Sequence, residues 1–366
     1  MKIINIVGAR PNFMKIAPIM EAYRGFPQIE PLLVHTGQHY DERMSDLFFR
    51  QLGIPEPDIN LEVGSGSHAA QTAEIMRAFE PVVLQHKPDA VLVVGDVNST
   101  IACGLVAVKL GAKLVHVEAG LRSFDRAMPE EINRLLTDTI SDVLFCSERS
   151  GVDNLLHEGV PKEKVFLVGN VMIDTLLKNR DKAEASKILD ELGLAPRGYA
   201  VLTLHRPSNV DDAAAFERIF RAVEVIQRNM PVVFPIHPRT RNNLEGSSLG
   251  GRLRDAKNLR IIEPAGYIEF LKLMSSARLV LTDSGGIQEE TTILNVPCLT
   301  LRENTERPIT IELGTSRLVG SSTEKILSAY EEIMAGHVRR QGTPELWDGK
   351  AAQRIVGILL EVLGET

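Results

Sequence analysis

The stretch LTDSGGIQEE, Leu281–Glu290, decides the fold. Leu279–Thr282 (LVLT) reads as a strand, Asp283-Ser284-Gly285-Gly286 as a tight turn, and a helical pattern starts directly after it. A strand, a glycine turn and a helix start make one βα unit. The first N–H groups of such a helix have no backbone partners, so Ser284, Gly285 and Gly286 form a cradle suited to phosphate, the glycines allowing close backbone approach. Glu289 and Glu290 lie too deep in the helix to cap it. Glu290 is instead placed to meet hydroxyls of a sugar attached to that phosphate, as carboxylates do for a ribose in dinucleotide sites. A nucleoside diphosphate fits this pattern better than inorganic phosphate.

The same unit recurs in both directions along the chain. Upstream stand KIINIVG (2–8), PLLVHTG (31–37), AVLVVGD (90–96), KLVHVEAG (113–120), VLFCSE (143–148) and KVFLVGN (164–170), each followed by a helix-like stretch. Continuous rather than alternating apolar runs suit strands covered on both faces, the signature of a parallel sheet. A second series comprises YAVLTLH (199–205), PVVFPIH (231–237), LRIIEP (259–264), LVLTD, CLTLR (298–302) and SRLVG (316–320). Between them the charged stretch 176–193 reads as a helical connector with Gly193 as its C-cap. The pattern predicts an α/β protein of two doubly wound parallel-sheet domains, 1–170 and 171–345, with an apolar helix over 349–364 packing back on the first.

Composition agrees with two cores: 366 residues, 44% hydrophobic. With 48 acidic against 41 basic residues the net charge is -7, and the basic residues are scattered, which argues against a nucleic-acid surface. Cys103, Cys146 and Cys298 lie far apart in apolar runs without C-x-x-C spacing, so neither a disulfide framework nor a zinc site is expected. The N-terminus runs straight into a strand pattern, and no apolar run approaches the ~18 residues that span a membrane. A cytoplasmic protein without a membrane partner is expected.

In open α/β sheets ligands bind beyond the carboxyl ends of strands, and those ends are unusually polar here. GARPNFMK places Arg10 and Lys15 after the first strand. GDVNST carries Asp96, HVEAGLRS carries His116, Glu118 and Arg122, and MPEEINR carries Glu130, Glu131 and Arg134. In the second half TLHRPSN supplies His205 and Arg206, PIHPR supplies His237 and Arg239, and RENTERP supplies Arg302 and Arg307. Plainer readings stand beside these. Asp96 is a candidate helix N-cap. PEEINR suits a Pro-led first turn with acids at the positive end of the helix dipole. His116 and Glu118 share one strand face; a single buried, satisfied histidine is a common outcome, but a carboxylate beside it at a strand end needs a partner. GARP is not G-x-G-x-x-G and GDVNST is not a P-loop, so neither a nicotinamide cofactor nor an NTPase is supported, and no cofactor or metal is expected.

Taken in order and spacing, GARPNFMK, GDVNST, HVEAGLRS, PEEINR, NVMIDTL, HRPSN, IHPR, LTDSGGIQEE and TERP resemble the non-hydrolysing UDP-N-acetylglucosamine 2-epimerases over essentially the whole chain. The resemblance implies a glycosyltransferase-B-type fold, two Rossmann-like domains facing a cleft, and a homodimer. It implies uracil near Tyr267 in AGYIEF, ribose at Glu290, and pyrophosphate at Ser284, Gly285, Arg10 and His205. Asp96, Glu118 and Glu130 match the family's catalytic carboxylates; Lys15, Arg134, His237 and Arg307 match residues lining the site. One departure stands out: regulated bacterial members carry QHR…MLDQ where this chain has GQHYDERMSDLFF (37–49), which retains Gln38 and His39 but lacks the second glutamine. The GQHYD form also resembles relatives acting on modified UDP-2-acetamido sugars.

The implied chemistry accounts for the carboxylates. C2–H of a 2-acetamido sugar is not alpha to a carbonyl, so its removal needs loss of UDP from C1 in the same step, giving a 2-acetamidoglucal. Re-adding UDP with protonation of C2 from the other face inverts the centre. Donors on the diphosphate stabilise the leaving group, and acid–base carboxylates contribute about 10²–10⁴-fold. A glycosyltransferase would share fold and diphosphate site but would not use three carboxylates at C1 and C2, and a non-catalytic UDP-sugar sensor would use none of them.

Overall fold

The computed structural model describes residues 1–37, 51–236, 240–241, 244, 256–337 and 342–364, the Arg10 side chain excepted. The segment 38–50, with Gln38 and His39, and the residues His237 and Arg239 lie outside the described residues.

The chain forms two compact units, one from Met1–Lys178 with Glu345–Thr366, the other Asn179–Pro344. The first contains seven strands: β1 (Lys2–Val7), β2 (Glu30–His35), β3 (Ile59–Asn60), β4 (Ala90–Val94), β5 (Lys113–Val117), β6 (Val143–Cys146) and β7 (Val165–Leu167). Their order is β3-β2-β1-β4-β5-β6-β7, and every pairing is parallel. The second contains β8 (Ala200–Thr203), β9 (Val232–Pro235), β10 (Leu259–Ile262), β11 (Leu279–Thr282), β12 (Cys298–Thr300) and β13 (Ser316–Leu318), ordered β10-β9-β8-β11-β12-β13 and again parallel throughout. Each is a doubly wound Rossmann-like sheet, and two such units in one chain are the glycosyltransferase-B-type fold.

The apolar runs are strands because both their faces are covered. All five residues of β4 are buried, as are all four of β11. In the second unit Phe216, Phe220 and Phe234 pack as tilted ring pairs with centroids 4.6 and 6.0 Å apart, each aromatic pair adding about 0.5–1.5 kcal/mol beyond area burial. The strand order reverses between β1 and β4 in one unit and between β8 and β11 in the other, so each sheet has one switch point where flanking helices diverge and leave the strand ends open.

The chain returns to the first unit at its end. The Ala351–Gly364 helix packs on the Arg10–Tyr23 helix, Asp174 accepts the N–H groups of Ala351 and Ala352 at 3.2 and 2.7 Å, and buried Trp347 donates from Nε1 to Ser147 O at 2.9 Å. The division between the units falls inside the Val171–Glu184 helix. Gly193, just past the short Ile188–Glu191 helix, has φ +54°, the left-handed backbone of a helix stop. Among the described residues no helix is long and apolar enough to cross a membrane.

Candidate functional site

In the first unit the switch point gathers Lys15, Asp96, Glu118 and Arg134. Lys15, in the second turn of the helix that follows β1, is ion-paired with Glu118, and both side chains are 7% exposed. Between them lies Gly95, at φ +68°, where a Cβ would stand 2.7 Å from Lys15 Nζ. Only glycine allows both the turn and the ammonium. Glu118 is itself left-handed, φ +73°, and lies one residue beyond β5; its N–H and that of Ala119 both donate to Phe145 O at 3.0 Å.

The plainer reading of Asp96 does not hold. The helix Asn98–Lys109 has Val97 at its N-cap, and the Asp96 carboxylate turns to Arg134 Nη1 at 2.5 Å. Arg134 also binds Glu131, at 2.8 Å from Nη2. The two glutamates of PEEINR have separate fates. Glu131 is 1% exposed and accepts the N–H groups of Ser123 and Phe124 at 3.0 and 2.9 Å, whereas Glu130 is half-buried and takes no part in that clamp. Burial opposes ionisation of Glu131, but those N–H groups and Arg134 hold its carboxyl below the ordinary range.

His116 is not the partner of Glu118. Fully buried, it sets Nδ1 2.6 Å from Asp138 Oδ1 and Nε2 2.8 Å from Gly95 O. Asp138 also accepts from Arg122 Nη1 at 2.7 Å and from Gly120 N–H at 3.1 Å, and Arg122 reaches Glu158 at 2.6 Å. This network fixes the Gly95 and Gly120 turns, which carry Asp96 and Glu118. Its reach from β5 to the Pro129–Ile140 helix is a fact of tertiary structure that spacing does not display.

In the second unit the strand and the helix of the opening stretch form as read, but the helix starts at Gly285 rather than after Gly286: Ser284 is the N-cap of the Gly285–Leu294 helix, and its hydroxyl makes no cap bond. Asp283, fully buried, accepts the backbone N–H of His205 (3.1 Å) and Arg206 (3.0 Å), Asn209 Nδ2 (3.2 Å), and His205 Nδ1 (2.7 Å). Burial alone would raise the Asp283 carboxyl, but His205 and the two N–H groups outweigh it and hold it below the ordinary value. The His205 side chain is half-exposed.

Beside this helix start lies a dense ionic cluster. Glu306, buried, faces Arg302 at 2.6 Å, Arg206 at 3.7 Å and Arg307; Arg307 also meets Glu289 at 2.7 Å. Against the effect of burial, Arg307, Arg302 and Arg206 hold Glu306 well below the usual carboxylate range. A Cβ at Gly285 would come within 2.5 Å of Arg307 Nη1 and 2.8 Å of Glu306, so this glycine is required by the cluster packed against the helix start. Deeper in the helix, Glu290 accepts the Tyr267 hydroxyl at 2.9 Å. Burial pushes Glu290 up to about 8, against the donated hydroxyl and helped by Glu289.

Each unit thus carries one polar constellation at its switch point. Of the expected residues, Lys15, Asp96, Glu118, Glu130 and Arg134 lie in the first, and His205, Ser284, Gly285, Gly286, Glu290, Tyr267 and Arg307 in the second. Arg10 starts its helix by backbone, and His237 lies outside the described residues. Sequence reasoning gave no role to Asp283 or Glu306, although both sit inside quoted motifs. Among the described residues no group of three or more His, Cys, Asp or Glu side chains is arranged to hold a metal ion.

Comparison with known proteins follows the same lines. A family model described as UDP-N-acetylglucosamine 2-epimerase matches residues 21–360. The chain is 45% identical over 366 residues to a UDP-N-acetylglucosamine 2-epimerase of Methanocaldococcus jannaschii, covering 98% of this chain and 99% of that one. It is 41% identical over 367 residues to the UDP-2,3-diacetamido-2,3-dideoxy-D-glucuronate 2-epimerase of Pseudomonas aeruginosa, covering 99% of this chain and 100% of the other. A crystal structure of the M. jannaschii UDP-GlcNAc 2-epimerase in complex with UDP-GlcNAc and UDP superposes with a TM-score of 0.92 at 44% identity, covering 99% of this chain and 100% of that one.

Proposed function

The chain belongs to the UDP-N-acetylglucosamine 2-epimerase family, and from that premise we propose that it interconverts UDP-N-acetylglucosamine and UDP-N-acetylmannosamine by elimination and re-addition of UDP. The observation that carries this reading is the pair Lys15–Glu118 beside the pair Asp96–Arg134 at one strand edge. Charge-balanced carboxylates there, Glu118 buried and Asp96 half-buried, suit proton transfer at carbon, a task that a binding protein does not have.

A carboxylate takes the C2 proton; the C2–H electron pair becomes the C1=C2 bond; the C1–O bond breaks and its electrons leave with UDP. In the return step a diphosphate oxygen attacks C1 while a second acid delivers a proton to the opposite face of C2. We assign the proton transfers to Asp96, Glu118 and Glu130, with Lys15 and Arg134 holding the charge of the first two. The nucleoside diphosphate falls to the second unit: the N–H groups of Gly285 and Gly286 and the Ser284 hydroxyl meet phosphate, the outward His205 Nε2 meets the departing oxygen, and Glu290 meets ribose. Stabilising the leaving diphosphate with fixed donors is an electrostatic contribution that needs no reorganisation at the moment of bond breaking.

A second reading has support of its own: the P. aeruginosa relative acts on a modified UDP-2-acetamido sugar and matches over the full length. The chemistry at C1 and C2 is the same, so the alternatives differ in the sugar's substituents only. We further read the protein as a cytoplasmic homodimer; three buried free cysteines fit a reducing compartment.

Proton NMR of the purified protein with UDP-N-acetylglucosamine and no acceptor tests the reading. An equilibrium mixture of the two UDP-sugars is the expected product. Free N-acetylmannosamine would indicate a hydrolysing enzyme, and an unchanged spectrum alongside turnover of the 2,3-diacetamido uronate would favour the second sugar.

A further inference from the structure

The loop between β5 and the Pro129–Ile140 helix presents a side chain that the reaction as described leaves unused. Phe124 is 77% exposed, and its φ is +58°. Left-handed backbone is unfavourable for a bulky L residue, and an exposed phenyl ring forgoes apolar burial. The fold carries both losses at one position.

Nor is this a loose loop that happens to wander there. The Phe124 N–H donates to Glu131 Oε1 at 2.9 Å and the Ser123 N–H to Glu131 Oε2 at 3.0 Å, while Asp125 N–H donates to Ser123 Oγ at 3.3 Å and Ala127 N–H to Asp125 Oδ1 at 3.0 Å. Glu131 is in turn held by Arg134 Nε at 2.9 Å, and Arg134 reaches Asp96. The ring therefore projects from the same rigid assembly that fixes Asp96, one residue removed from Glu130 in that assembly. Strain maintained by surrounding bonds next to reactive groups is a mark of function.

We propose that Phe124 is the apolar wall of the sugar subsite, laying its ring face against the C–H face of the 2-acetamidohexose. The electron-rich ring face attracts polarised C–H groups, and the ring keeps water from C1 while UDP is detached. Water at C1 competes with UDP for the same carbon, so the wall raises the fraction of intermediate that returns to UDP-sugar. This assignment rests on the epimerase reading and adds to it the means of retaining the intermediate.

The test uses the full-length protein, UDP-N-acetylglucosamine, and the variants Phe124→Asn and Phe124→Tyr. Asparagine tolerates left-handed backbone, so Phe124→Asn keeps the loop and removes the ring. KM should rise about tenfold, the equivalent of one good aromatic contact, and the share of turnovers ending as free UDP should rise with it. Calorimetric affinity for UDP alone should stay within about twofold and the melting temperature should not fall, since the lost contact is neither nucleotide-facing nor structural. Phe124→Tyr, which keeps the ring, should recover most of the loss.

Three results would overturn the assignment. Asn-variant kinetics and UDP release indistinguishable from wild type would remove the wall. Equal losses for UDP and UDP-sugar would place the ring on the nucleotide. A changed sedimentation coefficient with unchanged kinetics would give the ring to contact between copies of the chain. If the wild-type protein converts neither UDP-N-acetylglucosamine nor the 2,3-diacetamido uronate, the epimerase reading itself fails before any variant is made, and the assignment goes with it.

Discussion

His205 Nδ1 lies 2.7 Å from Asp283 Oδ1, joining a half-exposed imidazole to a carboxylate that is fully buried. With the N–H groups of His205 and Arg206 and the Asn209 amide on the same carboxylate, Asp283 can only accept. His205 must then donate from Nδ1, which leaves Nε2 facing outward as the working nitrogen.

Asp283→Asn keeps the volume and inserts an N–H donor among donors. The ring is expected to lose its fixed tautomer, and kcat should fall by about 100-fold or more, as happens when other working histidines lose an orienting carboxylate. UDP affinity should change far less than kcat. A variant with wild-type kcat would show that Asp283 serves folding alone.

Glu290 makes nucleotide binding sensitive to pH. Its ordinary value is 4.5 and burial raises it to about 8 in the folded protein. The stabilisation linked to this proton is therefore complete below the ordinary value and is lost as pH rises through the folded one. Ribose hydroxyls donating to Glu290 favour its anion, so UDP binding near neutral pH should expel up to one proton and tighten as pH rises towards that value. Calorimetry in buffers of different ionisation heat reads this directly. Proton release should vanish in Glu290→Gln, and absence of release in the wild type would contradict the ribose assignment.

His116, fully buried between Asp138 and Gly95 O, is expected to act through geometry. His116→Ala removes one partner of the buried Asp138 while Arg122 and the Gly120 N–H stay on it, and a buried acceptor that loses a hydrogen bond costs about 1–3 kcal/mol. A melting temperature lower by several degrees should result, together with loss of activity from the displaced Gly95–Asp96 turn. A melting temperature within about one degree of wild type would show that the network is dispensable.

How much of this was legible in the sequence depends on where the information resides. β4 and β11 could be read because strands buried on both faces must be apolar at every position. β3 is only Ile59–Asn60, paired to Val34 and His35, and two residues carry no periodicity to read. Glu130 and Glu131 are indistinguishable in one dimension, both in a Pro-led first turn. What separates them is the pair of N–H groups at Ser123 and Phe124 that the fold aims at Glu131 alone. Asp283 was visible as a residue of the helix start, but its partner lies 78 positions earlier, and only the parallel register of Thr203 with Thr282 brings the two together. Strand pattern is local information; side-chain pairing at a strand end is not.

The central claim is that C2–H is broken and remade with a solvent-derived proton while UDP is detached from C1. Running the reaction on UDP-N-acetylglucosamine in heavy water to equilibrium and reading the C2 position by NMR or mass spectrometry tests it most directly. The account predicts one deuterium at C2 of the UDP-N-acetylmannosamine formed, with labelling sharply slowed in Glu118→Gln and Glu130→Gln while UDP-sugar binding persists. Fully converted product that retains protium at C2 would contradict it, because a hydride passed through a keto intermediate returns the original hydrogen and an elimination does not.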